Sequence, residues 1–234
     1  MRELAKDVWQ LSGFPRDMFN IYLAGSVLID AGTRWAQRRV LRQLAGHSLS
    51  LVALTHCHPD HQGVAHAICQ RFNVPLAVHE DDVAAMEGRE PMVPSNWIVR
   101  LGVRLWSGPP HPVDRVLRDG DMVGDFRVVH APGHTPGHAM FFRESDRLVI
   151  AGDVLANIHF FTGRPGLREP PPVFSSDRRM NWRAVRKLAD LRPSLVCFGH
   201  GPPLARIEVL PRVADRLEAL ELRAGIPVPA SSAG

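Results

Sequence analysis

Short apolar runs and helical stretches alternate along the chain, and the alternation occurs twice. In the first thirty or so residues "DVWQL", "FNIYLA" and "SVLID" are separated by turn-forming residues, which predicts a β-meander. "RWAQRRVLRQLAG" (34–46) then carries apolar residues at helical spacing and ends in Gly46, a C-cap signal. "SLVALT" reads as a buried strand, "HQGVAHAICQRF" as a helix, "VPLAVH" as a strand and "EDDVAAM" as a short helix with acids in its first turn. Residues 88–114 mix prolines with tryptophans and are predicted irregular. Strands resume with "RVLRDGD", "FRVVHAP", "HAMFFRE" and "RLVIAGD", where "RDGD" and "ESDR" mark hairpins. After a second irregular stretch (154–176) come the helix "RMNWRAVRKLADL", the strand "SLVCFG" and a last helix over 207–225.

Two runs of strands, each followed by helices, suggest an α/β fold in four layers. This is an αββα sandwich of two mixed β-sheets flanked by helices, in a single domain over 1–225. Residues 226–234, "IPVPASSAG", read as a flexible tail. Periodicity alone does not decide the arrangement.

Composition narrows the class. With 45% hydrophobic and 22% charged residues in 234, the chain is of ordinary globular type. No run approaches the roughly 18 apolar residues of a membrane span, so no membrane partner is expected. The N-terminus lacks an apolar signal core, so a cytoplasmic location is the default expectation. Three cysteines, Cys57, Cys69 and Cys197, do not make a disulfide framework. The net charge is +4, carried almost wholly by arginine since Lys6 and Lys187 are the only lysines. The densest groups, "RWAQRRVLR" and "RRMNWRAVRK", read as solvated faces of amphipathic helices, and no nucleic-acid partner is expected.

The candidate chemistry starts at "LTHCHPDHQGV" (54–64), which places three histidines and an aspartate within six positions. Imidazole and carboxylate together are ligands for zinc and related ions. His56 and His58, two apart in an extended loop, can reach one ion; Asp60 and His61, at the turn into a helix, can reach a second beside it. Alternation points Cys57 away from both. Other ligands are sought at strand ends next to glycine: His134 in "APGHTPGH", Asp153 in "LVIAGDVL" and His200 in "LVCFGHGP". This gives His56, His58 and His134 for one ion, Asp60, His61 and His200 for the other, and Asp153 between them. His138 reads as a packing or supporting residue. His66 is expected to face elsewhere, and His47, His79, His111 and His130 show no partner pattern.

These four motifs, "THCHPDH", "APGHTPGH", "AGD" and "FGHG", resemble in kind and order those of the metallo-β-lactamase-fold hydrolase superfamily, over about residues 7–205. The resemblance implies the αββα fold and a supporting role for Asp30 in "LIDAG". It also implies two divalent cations, zinc first and Mn or Fe as alternatives, activating a bridging hydroxide that Asp60 binds and orients. A histidine at position 58, where the di-iron flavoprotein branch has an acid, favours hydrolysis. The expected substrate is a small carboxylic ester, thioester or lactone; β-lactam hydrolysis and a phosphodiesterase or nuclease of the same fold are the alternatives. Only 34 residues follow His200, which argues against a full glutathione site. Phe14, Phe19, His159 and Phe160 are the candidate substrate contacts, and the protein is expected to be a monomer or homodimer.

Overall fold

The structure is a computed structural model that describes residues 1–160 and 162–225; the tail expected at 226–234 lies outside the described residues. Seven strands form the first sheet in sequence order: β1 (Arg2–Ala5), β2 (Val8–Gln10), β3 (Tyr22–Ala24), β4 (Val27–Ile29), β5 (Leu51–Ala53), β6 (Leu76–His79) and β7 (Arg115–Leu117). It is antiparallel from β1 to β4 and parallel from β4 to β7. The parallel pairs β4–β5 and β5–β6 are bridged by crossover segments that contain α1 (Gln37–Leu44) and α3 (Ala65–Phe72), as parallel neighbours require. The second sheet holds β8 (Met122–Val123), β9 (Phe126–His130), β10 (Ala139–Arg143), β11 (Leu148–Gly152) and β14 (Leu195–Phe198), in the order β14-β11-β10-β9-β8. Its helices are α6 (Arg178–Asp190) and α7 (Val209–Gly225).

Side-chain alternation explains the layers. In β5, Leu51 and Ala53 join the cluster between the sheets, while Val52 and the following Leu54 join the cluster beneath α1 and α3. In β10, Phe141 points between the sheets, and Met140 and Phe142 meet α6 and α7. Both faces of each sheet are therefore covered, and the central strands read as continuous apolar runs rather than alternating ones. The αββα arrangement expected from the pattern is the one observed. No helix among the described residues is long and apolar enough to cross a membrane.

Several elements depart from the pattern. Strand β1 was not expected; it exists because Arg2 to Ala5 can pair antiparallel with β2. "RDGD" is not a hairpin turn, since it carries the chain from β7 in one sheet to β8 in the other. The irregular stretch 88–114 contains α5 (Trp97–Trp106), whose N-terminus is capped by Asn96 Oδ1 accepting from the N–H groups of Ile98 and Val99. The stretch 154–176 contains the paired strands β12 (Ala156–Ile158) and β13 (Pro165–Arg168). In "EDDVAAM" a tight turn over Glu80–Asp82 precedes α4 (Val83–Met86).

The helix expected over 61–72 is split into α2 (Pro59–Gln62) and α3. Gly63 lies at the break, and its N–H donates to Gly32 O at 2.7 Å. A Cβ here would sit 2.3 Å from the Arg34 backbone nitrogen and 2.5 Å from Gly32 O, and a Cβ on Gly108 would sit 2.3 Å from Gly63 O, so three backbone segments meet where only glycine fits. Gly63→Ala is therefore expected to cost at least about 2 kcal/mol through steric displacement of backbone. Gly25→Ala, at φ +58° with nothing within 4 Å of its added Cβ, should cost only the roughly 1–2 kcal/mol of left-handed backbone. Denaturant unfolding of both variants checks this; equal costs would contradict the steric account.

Candidate metal centre

All four motif loops leave the C-terminal ends of strands, so the sheet geometry brings them to one rim of the sandwich. His56, His58, Asp60 and His61 follow β5, His134 follows β9, Asp153 follows β11 and His200 follows β14. The side chains meet. His58 Nδ1 lies 3.1 Å from His56 Nε2 and 2.9 Å from His134 Nε2. His200 Nε2 lies 3.3 Å from Asp60 Oδ2 and 3.0 Å from Asp153 Oδ2. The Asp153 carboxylate reaches both groups, with Oδ2 3.5 Å from His134 Nε2 and Oδ1 3.5 Å from His61 Nε2. Three sets of potential ligand atoms result: His56, His58 and His134; Asp60, His61 and His200; and His56, His61 and Asp153. Glycine makes the approach possible, because a Cβ on Gly199 would lie 2.1 Å from Asp153 Oδ1.

The hydrogen bonds on the outer side fix which nitrogens carry protons. Asp30, at φ +61°, accepts from the Thr55 N–H at 2.8 Å and from the Thr55 hydroxyl. It also accepts from His61 Nδ1 at 2.9 Å. Since the Thr55 hydroxyl donates to Asp30, it accepts from His56 Nδ1 at 3.0 Å. His58 Nε2 donates to Val93 O at 2.9 Å, and His200 Nδ1 donates to Met18 O. Each of these four imidazoles therefore turns its other nitrogen inward, and in the neutral His56 and His58 that nitrogen is a bare lone pair. In His134, Nδ1 meets the Ser175 hydroxyl at 3.3 Å, which leaves Nε2 facing in. Lone pairs at hydrogen-bond distance with no proton between them repel unless a cation lies among them. His61 Nε2 and Asp153 Oδ1 are moreover buried with no hydrogen-bond partner among the described residues. The donor set thus fits a pair of divalent cations, with outer partners fixing ring orientation as metal-ligating histidines require.

Titration divides the site in two. Burial, reinforced by the neighbouring imidazoles, pushes His56 and His134 well down, and burial also lowers His58. Burial would lower His61 and His200 as well, but Asp153 with Asp30, and Asp153 with Asp60, overcome it. His61 is raised well above the usual range and His200 to about 10. Burial opposes ionisation of Asp60, yet its hydrogen bond to His200 and the charge of His61 hold it at about 2. One side is a set of neutral imidazoles; the other is a carboxylate-rich pocket that retains a positive charge.

Some residues behave differently from the sequence reading, and others were not legible in it. His138 stands behind the cluster, where its Nε2 accepts the Asp153 backbone N–H at 2.9 Å. Phe19 and Phe160 pack edge-on against His200, at 5.7 and 4.9 Å between ring centroids. His159 lies in the β12–β13 hairpin, where with Phe160 and Arg168 it lines a cavity of about 200 Å³. Phe14 is 82% exposed and makes no aromatic contact among the described residues. Its loop is drawn inward by Met18, Phe19 and Asn20, which leaves the apex facing out. Cys57 points into the core under α3, away from the histidines.

Three of the histidines without a partner pattern do have partners: His111 meets His66 at 3.1 Å, and His79 stacks on His130 at 4.0 Å and 15°. Asp81 adjoins the second pair, making another group of potential ligands. Parallel rings cannot aim in-plane lone pairs at one ion, and His130 Nε2 already donates to Pro136 O at 2.8 Å. Asp82 was read only as a first-turn acid. Its buried carboxylate joins two motif loops by accepting from Cys57 N–H, the Thr135 hydroxyl and Gly137 N–H at 2.8–3.0 Å. Asn20 and Tyr22 anchor the last loop, since Asn20 Nδ2 donates to Phe198 O and Gly201 O, and the Tyr22 hydroxyl donates to Phe198 O at 2.7 Å.

Comparison with known proteins agrees with this geometry. The sequence profile of the Metallo-beta-lactamase superfamily matches residues 18–200. The chain is 27% identical over 219 residues to the probable metallo-hydrolase YflN of Bacillus subtilis, a match covering 83% of each. It is 27% identical over 188 residues to the hydroxyacylglutathione hydrolase of a Bradyrhizobium strain, covering 79% of this chain and 62% of that one. Among solved structures, TTHA1623 in a di-iron-bound form is 28% identical with a TM-score of 0.65, covering 88% of this chain and 98% of that one. The profile match takes in every strand-end loop of the site, and the chain belongs to the metallo-beta-lactamase superfamily.

Proposed function

We propose that this protein is a dinuclear metal-dependent hydrolase that opens a carboxylic ester, thioester or lactone of a small molecule. The observation that carries this reading is the convergence of ring nitrogens and carboxylates at the rim, with the inward lone pairs of His56 and His58 imposed by hydrogen bonds on the far side of their rings. His56 Nε2, His58 Nδ1 and His134 Nε2 would hold one ion, Asp60, His61 and His200 the other, with Asp153 between. Zinc suits this nitrogen and oxygen set; iron is the alternative that the similarity to a di-iron-bound structure supports. Two ions held by these residues would supply Lewis acidity for a carbonyl oxygen and would acidify a bound water towards neutrality.

The chain's own residues do the rest. Asp60, ionised above about pH 2 and 16% exposed, is a carboxylate that can take or orient a proton of the attacking water. The phenyl rings of Phe19 and Phe160 flank His200 and form apolar walls for an acyl group. No side-chain nucleophile is needed: Cys57 is buried in the core, and burial pushes its thiol well up. Similarity to a hydroxyacylglutathione hydrolase supports the thioester within the proposed substrates.

Metal analysis of a metal-replete preparation should give close to two divalent ions per chain, and a clean preparation holding only one would contradict the dinuclear reading. Asp60→Ala should lower kcat/KM on the best substrate of an ester, thioester, lactone and β-lactam panel by at least about 100-fold, with little change in Tm. Undiminished turnover in that variant would refute its role. Asp30→Asn should keep the fold but weaken metal retention roughly 10–100-fold in chelator competition, because the amide no longer holds the His61 and Thr55 donors.

A further inference from the structure

One face of the molecule is both apolar and basic, and the candidate hydrolase site uses only its edge. Along α5, Trp97, Leu101 and Leu105 recur at i, i+4 and i+8 and are 73%, 48% and 45% exposed. Arg100 and Arg104 rise beside them, also exposed. The turn over Arg34–Ala36 adjoins this helix. Arg34 donates to Arg104 O at 3.4 Å, and its guanidinium lies 4.7 Å from the ring centre of Trp35, itself 69% exposed. The contact is fixed by Gly63, whose carbonyl would lie 2.3 Å from a Cβ on Gly108, while Gly63 in turn abuts the Arg34 backbone. The patch is thus built on packed backbone.

Its charge is one-sided. No acidic residue occurs between Asp30 and Asp60 or between Glu90 and Asp114. The same segments hold Arg34, Arg38, Arg39 and Arg42 in one, Arg100 and Arg104 in the other. None of these six arginines forms a salt bridge among the described residues.

We propose that this face, α5 with the Arg34–Ala36 turn, docks on an anionic lipid surface. Exposed tryptophans beside arginines are the composition of an interfacial helix, with the rings at headgroup depth and the cations on lipid phosphates. A second copy of the chain fits less well, because a two-fold pairing of this face opposes arginines with arginines and offers no carboxylate. Nucleic acid would use the arginines but leave Leu101 and Leu105 without a role. Lying on a membrane is distinct from spanning one, so the proposal agrees with the lack of a spanning helix among the described residues; what it changes is the expectation of no membrane partner and the reading of "RWAQRRVLR" as merely solvated. The patch also reaches the candidate site, since Trp106 packs 5.8 Å from Phe19, which itself touches His200.

The test is co-sedimentation with vesicles of phosphatidylglycerol and phosphatidylcholine against pure phosphatidylcholine, in low and high salt. Three of the five tryptophans, Trp35, Trp97 and Trp106, belong to the patch, so their fluorescence reports contact with lipid. The expected result is binding at least tenfold tighter to the anionic vesicles, with a blue-shifted emission, lost in high salt. Arg100→Glu with Arg104→Glu should weaken it at least tenfold, and Leu101→Ser with Leu105→Ser should also weaken it, each with an unchanged melting curve. If a double variant does not fold, Arg100→Gln alone serves with the same readout. Absence of vesicle binding overturns the proposal. So does a solution dimer that Leu101→Ser dissociates, or single-stranded RNA binding that the leucine variants leave intact while vesicles are ignored.

Discussion

The buried carboxylate of Asp30 is the constraint on which the candidate site depends. It has no direct place among the inward-facing ligand atoms. It receives the Thr55 N–H, the Thr55 hydroxyl and His61 Nδ1. Through Thr55 it also decides the tautomer of His56. Two imidazoles of different ligand groups are thus oriented by one acid, positioned at the end of β4 in a left-handed backbone conformation. A buried carboxylate is costly to leave unpaired, so this network tolerates little slack.

The same logic recurs around the rim. Asp82 ties the loop after β5 to the loop after β9, and Asn20 with Tyr22 tie the first sheet to the loop that carries His200. The two sheets share an apolar interface that offers few partners to polar atoms. The polar ties are therefore concentrated at the strand ends, where backbone groups run out of ladder partners. Rigidity of the loops comes from these bonds, and convergence of the lone pairs follows from rigidity.

Much of the fold was legible because strongly apolar runs leave few alternatives. "SLVALT", "RLVIAGD" and "SLVCFG" could only be central strands, and each was followed by a ligand-type residue beside a special turn. What escaped the pattern lay where local signals conflict. Helix α5 hides among prolines and starts at an asparagine cap, and β12 and β13 are too short to show a period. The helix after the motif looked continuous because Gly63 is tolerated in a helical pattern, whereas it marks a crossing of three backbone segments.

The sequence by itself determined the layer pattern, the chemical identity of the ligand-type residues and the local pairing of His56 with His58, since these depend on spacing within one short segment. Tertiary structure decided the rest. That His134, Asp153 and His200 meet that segment depends on which strands are neighbours, and that order is set by packing between sheets. The proton placement on each ring, the role of Asp82 and the outward turn of Phe14 also depend on partners distant in the chain. Periodicity reports which face of an element is buried; it carries no information about which other element buries it.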